Sequence, residues 1–94
     1  MTRAILEATD TIKLISDPTR VKILSYLIKE DREVCVNEIA HAIGATHSAT
    51  SHQLAKLEGR GVVECFRRGQ MMCYQITNSK EAHKLLQILK LLNV

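Results

Sequence analysis

The chain has 94 residues, of which 46% are hydrophobic, 3% aromatic and 24% charged, and its net charge is +3. This length suits one small domain over residues 1–94, and the scarcity of aromatic residues predicts an aliphatic core. No apolar run approaches the length of a bilayer span, and no signal-peptide pattern opens the sequence. Three cysteines without close pair spacing argue against a secreted disulfide framework. We therefore expect a cytoplasmic protein that does not contact membranes.

Two amphipathic helices are predicted in the first third of the chain. Apolar residues at helical spacing place the first at residues 3–15. Asp17 can cap the second, and Pro18 suits a first turn, where no amide hydrogen is needed. The buried stripe of the second helix is Val21, Ile23, Leu24, Leu27 and Ile28. Residues 33–36 then predict the first strand of a small sheet.

Residues 37–60, which begin NEIAHAIGATHSATSHQLAKL, predict two short helices joined by a tight turn. Asn37 is expected to cap the first of them, Gly44 to end it and Thr46 to cap the second. The core-facing residues of this second helix are expected to be Ala49, Leu54 and Leu57. Its outward residues are expected to be His47, Ser48, Thr50, Ser51, Gln53 and Lys56, while His52 on the same helix either contacts DNA or packs against a neighbouring helix. Because such groups can bind base edges and phosphates in the major groove, the segment predicts a helix-turn-helix that binds double-stranded DNA. Two polar-faced helices around a glycine also occur in ordinary helical proteins.

Residues 62–76 predict a β-hairpin directly after the second of these helices. Strand-forming residues flank Gly69, which provides permissive backbone for a turn. Arg67, Arg68 and Gln70 lie near the tip, where they are expected to reach the DNA backbone or minor groove. Residues 1–45 contain six Lys/Arg and seven Asp/Glu, whereas residues 46–94 contain seven and three. The excess of cations in the second half is what phosphate neutralisation requires.

A last amphipathic helix is predicted at residues 79–92, with Asn78 and Glu81 as a capping box. Its apolar surface exceeds what one edge of a small domain needs, although an ordinary core helix is the alternative. We predict a homodimer built from helices 3–15 and 79–92. The expected interface residues are Ile5, Leu6, Leu85, Leu86, Leu89 and Leu92.

Four segments together resemble the ArsR/SmtB family of metal- and stress-sensing repressors. They are DPTRVKILSYL, EVCVNEIA (similar to the family's ELCVCDLA), SATSHQLAKL and RRGQMMCYQI. The resemblance covers about residues 10–77 and is most specific in the predicted helix-turn-helix and hairpin. It implies a mainly α winged helix-turn-helix in the order α-α-β-α-α-β-β-α. It also implies a homodimer, paired through its first and last helices, that represses its own operon until an inducer binds.

One cysteine falls on each predicted strand: Cys35, Cys65 and Cys73. A three-residue hairpin loop at 68–70 would place Cys65 opposite Cys73, whereas a two-residue loop would move them out of register. The resemblance places Cys35 at the first cysteine of a sensing element where thiolates bind soft ions. Asn37 replaces the second cysteine, so a partner for Cys35 would come from Cys65, Cys73 or the other subunit. Buried cysteines that act as small hydrophobes are the alternative for Cys65 and Cys73.

A second metal site of the family, Asp-x-His on the last helix, fits poorly. Without a gap it falls on Asn78 and Lys80, and with a small gap on Glu81 and His83. The other half of the site would lie at or past Val94, so we do not expect zinc or nickel there. The sequence has no zinc-finger spacing, phosphate-binding loop or nucleophile–base constellation, so we predict that the protein is not an enzyme.

The combined prediction is a dimeric, sequence-specific transcriptional repressor. A thiophilic metal or metalloid ion bound by cysteine, or a thiol-reactive signal, would release it from its operator. One alternative is a redox switch in which two cysteines oxidise and no metal binds. Another is a winged-helix module that binds proteins without sequence-specific DNA binding, although the polar helix and basic hairpin count against it.

Overall fold

The computed structural model describes residues 2–94 and contains helices in the predicted order. They are α1 (Arg3–Leu14), α2 (Pro18–Glu30), α3 (Val36–Ile43), α4 (His47–Gly59) and α5 (Lys80–Leu91). Three strands, β1 (Val34–Cys35), β2 (Val63–Arg68) and β3 (Met71–Ile76), complete the winged helix-turn-helix. The predicted fold class is confirmed. Across residues 2–94, no helix combines the length and apolar character needed to cross a bilayer.

Three predicted helix boundaries are set by local side chains. Asp17 Oδ1 accepts hydrogen bonds from the amides of Thr19 (2.8 Å) and Arg20 (3.4 Å) at the start of α2. Thr46 Oγ1 accepts from the amide of Ala49 at 3.0 Å and starts α4. Gly44, at φ +70°, ends α3 in the left-handed conformation that glycine tolerates. These caps are confirmed.

Two predicted caps are wrong. Helix α3 begins at Val36, so Asn37 lies within its first turn and Cys35 occupies the N-cap without a side-chain hydrogen bond. Helix α5 is capped by Ser79, whose Oγ accepts from the amide of Ala82 at 3.1 Å, rather than by Asn78. Asn78 Oδ1 instead lies 2.7 Å from His83 Nε2. Adjacent capping residues compete, and residue spacing alone does not choose between them.

The core is aliphatic, as predicted, and α5 contributes to it. Its members include Ile23, Leu24, Leu27, Val34, Ile39, Leu54, Leu57, Val62, Leu85 and Leu89. The prediction that Leu85 and Leu89 form a dimer face is wrong, because they are only 1% and 2% exposed and pack inside their own chain. Ile5, Leu6 and Leu92 are 52%, 52% and 61% exposed, and Leu86 is half-buried. An outward apolar surface therefore remains at both helical ends of the chain.

The three strands form an antiparallel sheet in the order β1-β3-β2. A two-residue turn, Gly69–Gln70, joins β2 to β3, and Gly69 has φ +65°. Glycine at the first turn position suits a tight hairpin. This turn pairs Cys65 with Tyr74 and Phe66 with Cys73, so the alternative with Cys65 opposite Cys73 is not adopted.

Candidate nucleic-acid interface

Helix α4 presents one polar row on its exposed side. Ser48, His52 and Lys56 are all exposed, and their spacing of four residues places them on one helical face. The small residues Ala49 and Ala55, also exposed, flank the row. The opposite side consists of Thr50, Leu54 and Leu57, each 0% exposed. Helix α4 is therefore anchored by one face, and the other can enter a groove.

The structure corrects the predicted orientation of two residues on α4. Thr50 was expected to face outward, but its side chain is buried and its Oγ1 donates to the Thr46 carbonyl at 2.8 Å. A hydroxyl that bonds to its own helix backbone can enter an apolar core, which sequence spacing does not reveal. Ala49 was expected in the core and is exposed. His47 is exposed and Ser51 is half-buried near the start of the helix.

Gln53, also expected to face outward, is half-buried and belongs to a hydrogen-bond network. Its Oε1 accepts from Arg20 Nη1 at 3.0 Å, and its Nε2 donates to Asp17 Oδ2 at 3.1 Å. Arg20 also donates from Nε to the Leu14 carbonyl (2.9 Å) and from Nη2 to the Lys13 carbonyl (2.8 Å). The network thus connects α4 to the end of α1 and the start of α2.

The carboxylate of Asp17 is held in its charged form by this network. Partial burial opposes ionisation of the carboxyl, but the amides of Thr19 and Arg20 donate to it. The charge of Arg20 and the side-chain amide of Gln53 act in the same direction. Together these donors lower the pKa of Asp17 below its usual value.

The hairpin, which we call the wing, presents Arg67, Arg68 and Gln70 to solvent. Arg68 is already paired, since Nε and Nη2 donate to the two carboxylate oxygens of Glu33 at 3.0 and 2.8 Å. This pairing raises the pKa of Arg68, and its guanidinium carbon lies 5.2 Å from the centre of the Phe66 ring. Arg67 Nε donates to the Gly69 carbonyl at 3.2 Å. The wing cations therefore have partners within the chain.

Two of the three cysteines meet. Cys35 and Cys73 face each other on β1 and β3 and form a disulfide across 38 residues of sequence. Directly paired residues of antiparallel strands project to the same face, so Cys65 lies with Tyr74 on the opposite face. Burial is the largest cause of a raised pKa at Tyr74, and the neighbouring Cys65 acts in the same direction. Together they raise the pKa of Tyr74 to about 12. Among residues 2–94, no three His, Cys, Asp or Glu side chains are grouped closely enough to hold a metal ion.

A small cleft lies between Cys35 and the first turn of α4. It has a volume of about 130 Å³ and lies where the starts of α3, α4 and β3 converge. Its lining consists of Cys35, Val36, Asn37, His47, Ser51, Gln70, Met71 and Met72. A change at Cys35 would therefore occur beside both the wing and the first turn of α4.

Sequence reasoning missed the contributions of Arg20 and Glu33. Arg20 has a side chain only 13% exposed, and its partner Gln53 lies 33 residues away. Glu33 pairs with Arg68 across 35 residues. The only signal for Arg20 in the sequence was a charged residue beside the apolar stripe of α2. Such a residue usually faces solvent, so it did not indicate a buried contact with Gln53.

Comparisons with known proteins place these features in a family. The model described as "Bacterial regulatory protein, arsR family" matches residues 17–64. A cadmium resistance transcriptional regulatory protein of Listeria innocua is 43% identical over 72% of this chain and 56% of its own length. An arsenic resistance transcriptional regulator of Pseudomonas putida is 32% identical over 79% of this chain and 57% of its own length. The chain thus spans little more than half of these relatives.

The fold is also shared with solved structures. The crystal structure of an antimony-specific transcriptional repressor matches with a TM-score of 0.81 and 28% identity, over 98% of this chain and 83% of that one. Together with the family match over residues 17–64, these likenesses show that the chain belongs to the arsR family of bacterial regulatory proteins, which are not enzymes.

Proposed function

We propose that this arsR-family chain acts as a homodimeric transcriptional repressor that binds double-stranded DNA through α4 and the wing. The observation that carries the proposal is the exposed row Ser48, His52 and Lys56 beside a hairpin tipped with arginines. An α-helix fits the major groove, and small flanking residues such as Ala49 and Ala55 allow close approach to base edges. Ser48 and His52 read bases, whereas Lys56, Arg67 and Arg68 bind phosphates or the minor groove.

A second copy of the chain completes the DNA-binding unit. The exposed apolar residues Ile5, Leu6 and Leu92 lie on α1 and at the end of α5. A groove between these helices, about 370 Å³ in volume, is lined by Ala8, Thr11, Ile12, Lys84, Gln87 and Ile88. Pairing of α1 and α5 across a twofold axis covers this surface and sets two α4 helices on half-sites roughly 34 Å apart. Sedimentation of Leu92→Asp should show a shift towards monomer; dimers of unchanged stability would place the interface elsewhere.

DNA binding can be tested even though the operator sequence is unidentified. Selection from a randomised duplex library should recover a palindromic site, and His52→Ala should weaken binding to it by roughly tenfold or more. His41→Ala is the matched control, because His41 is exposed on α3 rather than on the α4 row. Failure of the wild-type chain to enrich any sequence at low salt would contradict sequence-specific DNA binding and favour the protein-interaction alternative.

The finer proposal is that the signal enters through Cys35 and Cys73. In a reducing cytoplasm, where we place the protein, both would rest as thiols. The Cys35 sulfur lies at the N-cap of α3, where the helix dipole stabilises a thiolate. Two adjacent thiolates suit a soft ion in ligand type, but further ligands would come from the second subunit or from solvent.

A redox signal is the second candidate, and the Cys35–Cys73 disulfide specifically favours it. Hydrogen peroxide would oxidise the two thiols, forming one S–S bond and two waters, with no metal involved. The bond joins β1 to β3 beside the cleft against the first turn of α4, and so can alter how α4 and the wing sit together.

Release of a labelled operator duplex separates the two signals. Cadmium and arsenite are added to the reduced protein in one series, and hydrogen peroxide in another. Cys35→Ser and Cys73→Ser should each abolish the response, whereas Cys65→Ser, on the other sheet face, is the matched control and should retain it. Response to metal alone would identify an ion sensor, and response to peroxide alone a redox switch. If both serine variants leave the operator at the inducer concentrations that release the wild-type protein, this cysteine pair does not sense the signal.

A further inference from the structure

The hydrogen-bond network at Gln53 connects three helices, α1, α2 and α4. Arg20 is the central donor, since its guanidinium contacts the carbonyls of Lys13 and Leu14 on one side and Gln53 on the other. Gln53 in turn donates to Asp17, whose second oxygen caps α2. Both polar atoms of the Gln53 amide thus face a partner at the start of α2, which removes the side chain from the row that would meet DNA.

Helix α1 depends on such polar contacts for its position. Only Thr11 and Leu14 are buried among its residues, and most of its surface is exposed. The guanidinium of Arg20 binds two last-turn carbonyls of α1, those of Lys13 and Leu14, and the Lys13 carbonyl also accepts from Ser16. The planar guanidinium forms three directed bonds, two to the end of α1 and one to Gln53, and so connects α1 with α4.

A second polar connection links α4 to α1 through Glu81 of α5. Thr11 Oγ1 donates to Glu81 Oε1 at 3.0 Å, and Arg60, the C-cap of α4, lies 3.6 Å from the same oxygen. Helix α4 is therefore linked to α1 indirectly, near its middle through Gln53 and Arg20 and at its end through Arg60 and Glu81.

We infer that Gln53 is a positioning residue: Arg20 and Gln53 transmit the placement of α1 to α4, so that the relay Asp17–Gln53–Arg20 sets the angle at which α4 meets DNA. This inference rests on the proposed DNA-binding function. Because α1 also carries part of the proposed dimer face, a shift between subunits reaches the polar row of α4 through this relay. Gln53 acts through Arg20 and Asp17, without reading a base.

A charge-neutral exchange tests the relay. Gln53→Glu alone places a carboxylate next to the carboxylate of Asp17, so the two groups repel. Asp17→Asn alone places an amide NH₂ group next to that of Gln53, so the hydrogen bond between them is lost. In the double variant that combines Asp17→Asn with Gln53→Glu, the introduced asparagine keeps a capping oxygen. Its side-chain amide donates to the introduced glutamate, which still accepts from Arg20. Net charge and the number of bonds are then restored.

The readout is affinity for a duplex selected by the wild-type protein, with thermal unfolding measured in the absence of DNA. Each single variant should bind about tenfold more weakly, as expected for a lost bond to a charged group, with unchanged sequence preference. The double variant should recover most of the affinity and the unfolding midpoint. Arg20→Ala should resemble the single variants, whereas Lys22→Ala, the same charge change at an exposed position on α2, should not.

Two outcomes would overturn the inference. A double variant that remains as weak as Gln53→Glu, with altered base preference, would make Gln53 a base-reading residue. Wild-type affinity in both single variants and in Arg20→Ala would show that the relay does not position α4. If the wild-type chain binds no duplex, the proposed function fails instead, and the unfolding midpoints alone still report whether the exchange restores the relay.

Discussion

Helix α4 and the wing form the two parts of the proposed DNA surface, and the chain holds them differently. Helix α4 is anchored by three fully buried residues on one face, whereas within residues 2–94 its exposed row makes no side-chain hydrogen bond. The wing has exposed residues at its tip, and its arginines bind Glu33 and the Gly69 carbonyl. A preorganised helix meets DNA without rearrangement, whereas the wing must first exchange contacts made within its own chain.

The largest expected effect comes from breaking the anchor of α4. Leu54→Ala should lower the free energy of unfolding by about 2–5 kcal/mol, because it leaves a cavity in the core. Met71→Ala on the wing should change it by no more than about 0.5 kcal/mol, since Met71 is 46% exposed. Urea unfolding of both variants measures the contrast. Equal losses would mean that the wing is as tightly packed as α4.

A smaller effect should separate the cations of the two parts. Lys56→Ala should reduce the slope of log affinity against log salt by about one phosphate equivalent. Arg68→Ala should reduce it by less, because Arg68 must first leave Glu33. Glu33→Gln removes that competitor and should strengthen binding about two- to fivefold at low salt. Fluorescence anisotropy over a salt series tests all three, and weaker binding by Glu33→Gln would show that the ion pair holds the wing in its productive position.

The smallest effect is the acid sensitivity of the relay Asp17–Gln53–Arg20. The pKa of Asp17 is lower in the folded chain than in the unfolded one. Its stabilisation is therefore complete above the unfolded pKa of about 3.9 and is lost as pH falls through the folded value. Wild-type stability should decline more steeply below about pH 4 than that of Asp17→Asn. Parallel curves of unfolding free energy against pH for the two proteins would contradict this role.

Sequence alone predicted the features that depend on neighbouring residues. Asp17, Gly44 and Thr46 end or begin helices through contacts within four positions, and Gly69 permits a turn through its own backbone freedom. These choices follow from local chemistry, so the order of elements and the fold class could be predicted.

Features that depend on distant partners were not predicted correctly. Gln53 faces inward because Arg20 and Asp17 lie 33 and 36 residues away, and Leu89 faces inward because its own chain covers it. The partner of Cys65 depends on the β2–β3 hairpin register, which one residue of loop length decides, whereas the separate register of β1 on β3 selects Cys73 among the partners left open for Cys35. The structure was therefore needed to correct which residues of α4 and α5 face outward.

The strand order β1-β3-β2 also determines which sheet edges are open to pairing with another molecule. It leaves β2 as one free edge, and an unpaired edge can template strand addition by another molecule. That edge carries the charged residues Glu64, Arg67 and Arg68, while the opposite edge, β1, is only two residues long. Charged and very short edges both discourage such stacking. The arginines that we assign to DNA would thus also protect the free protein from edge-to-edge aggregation.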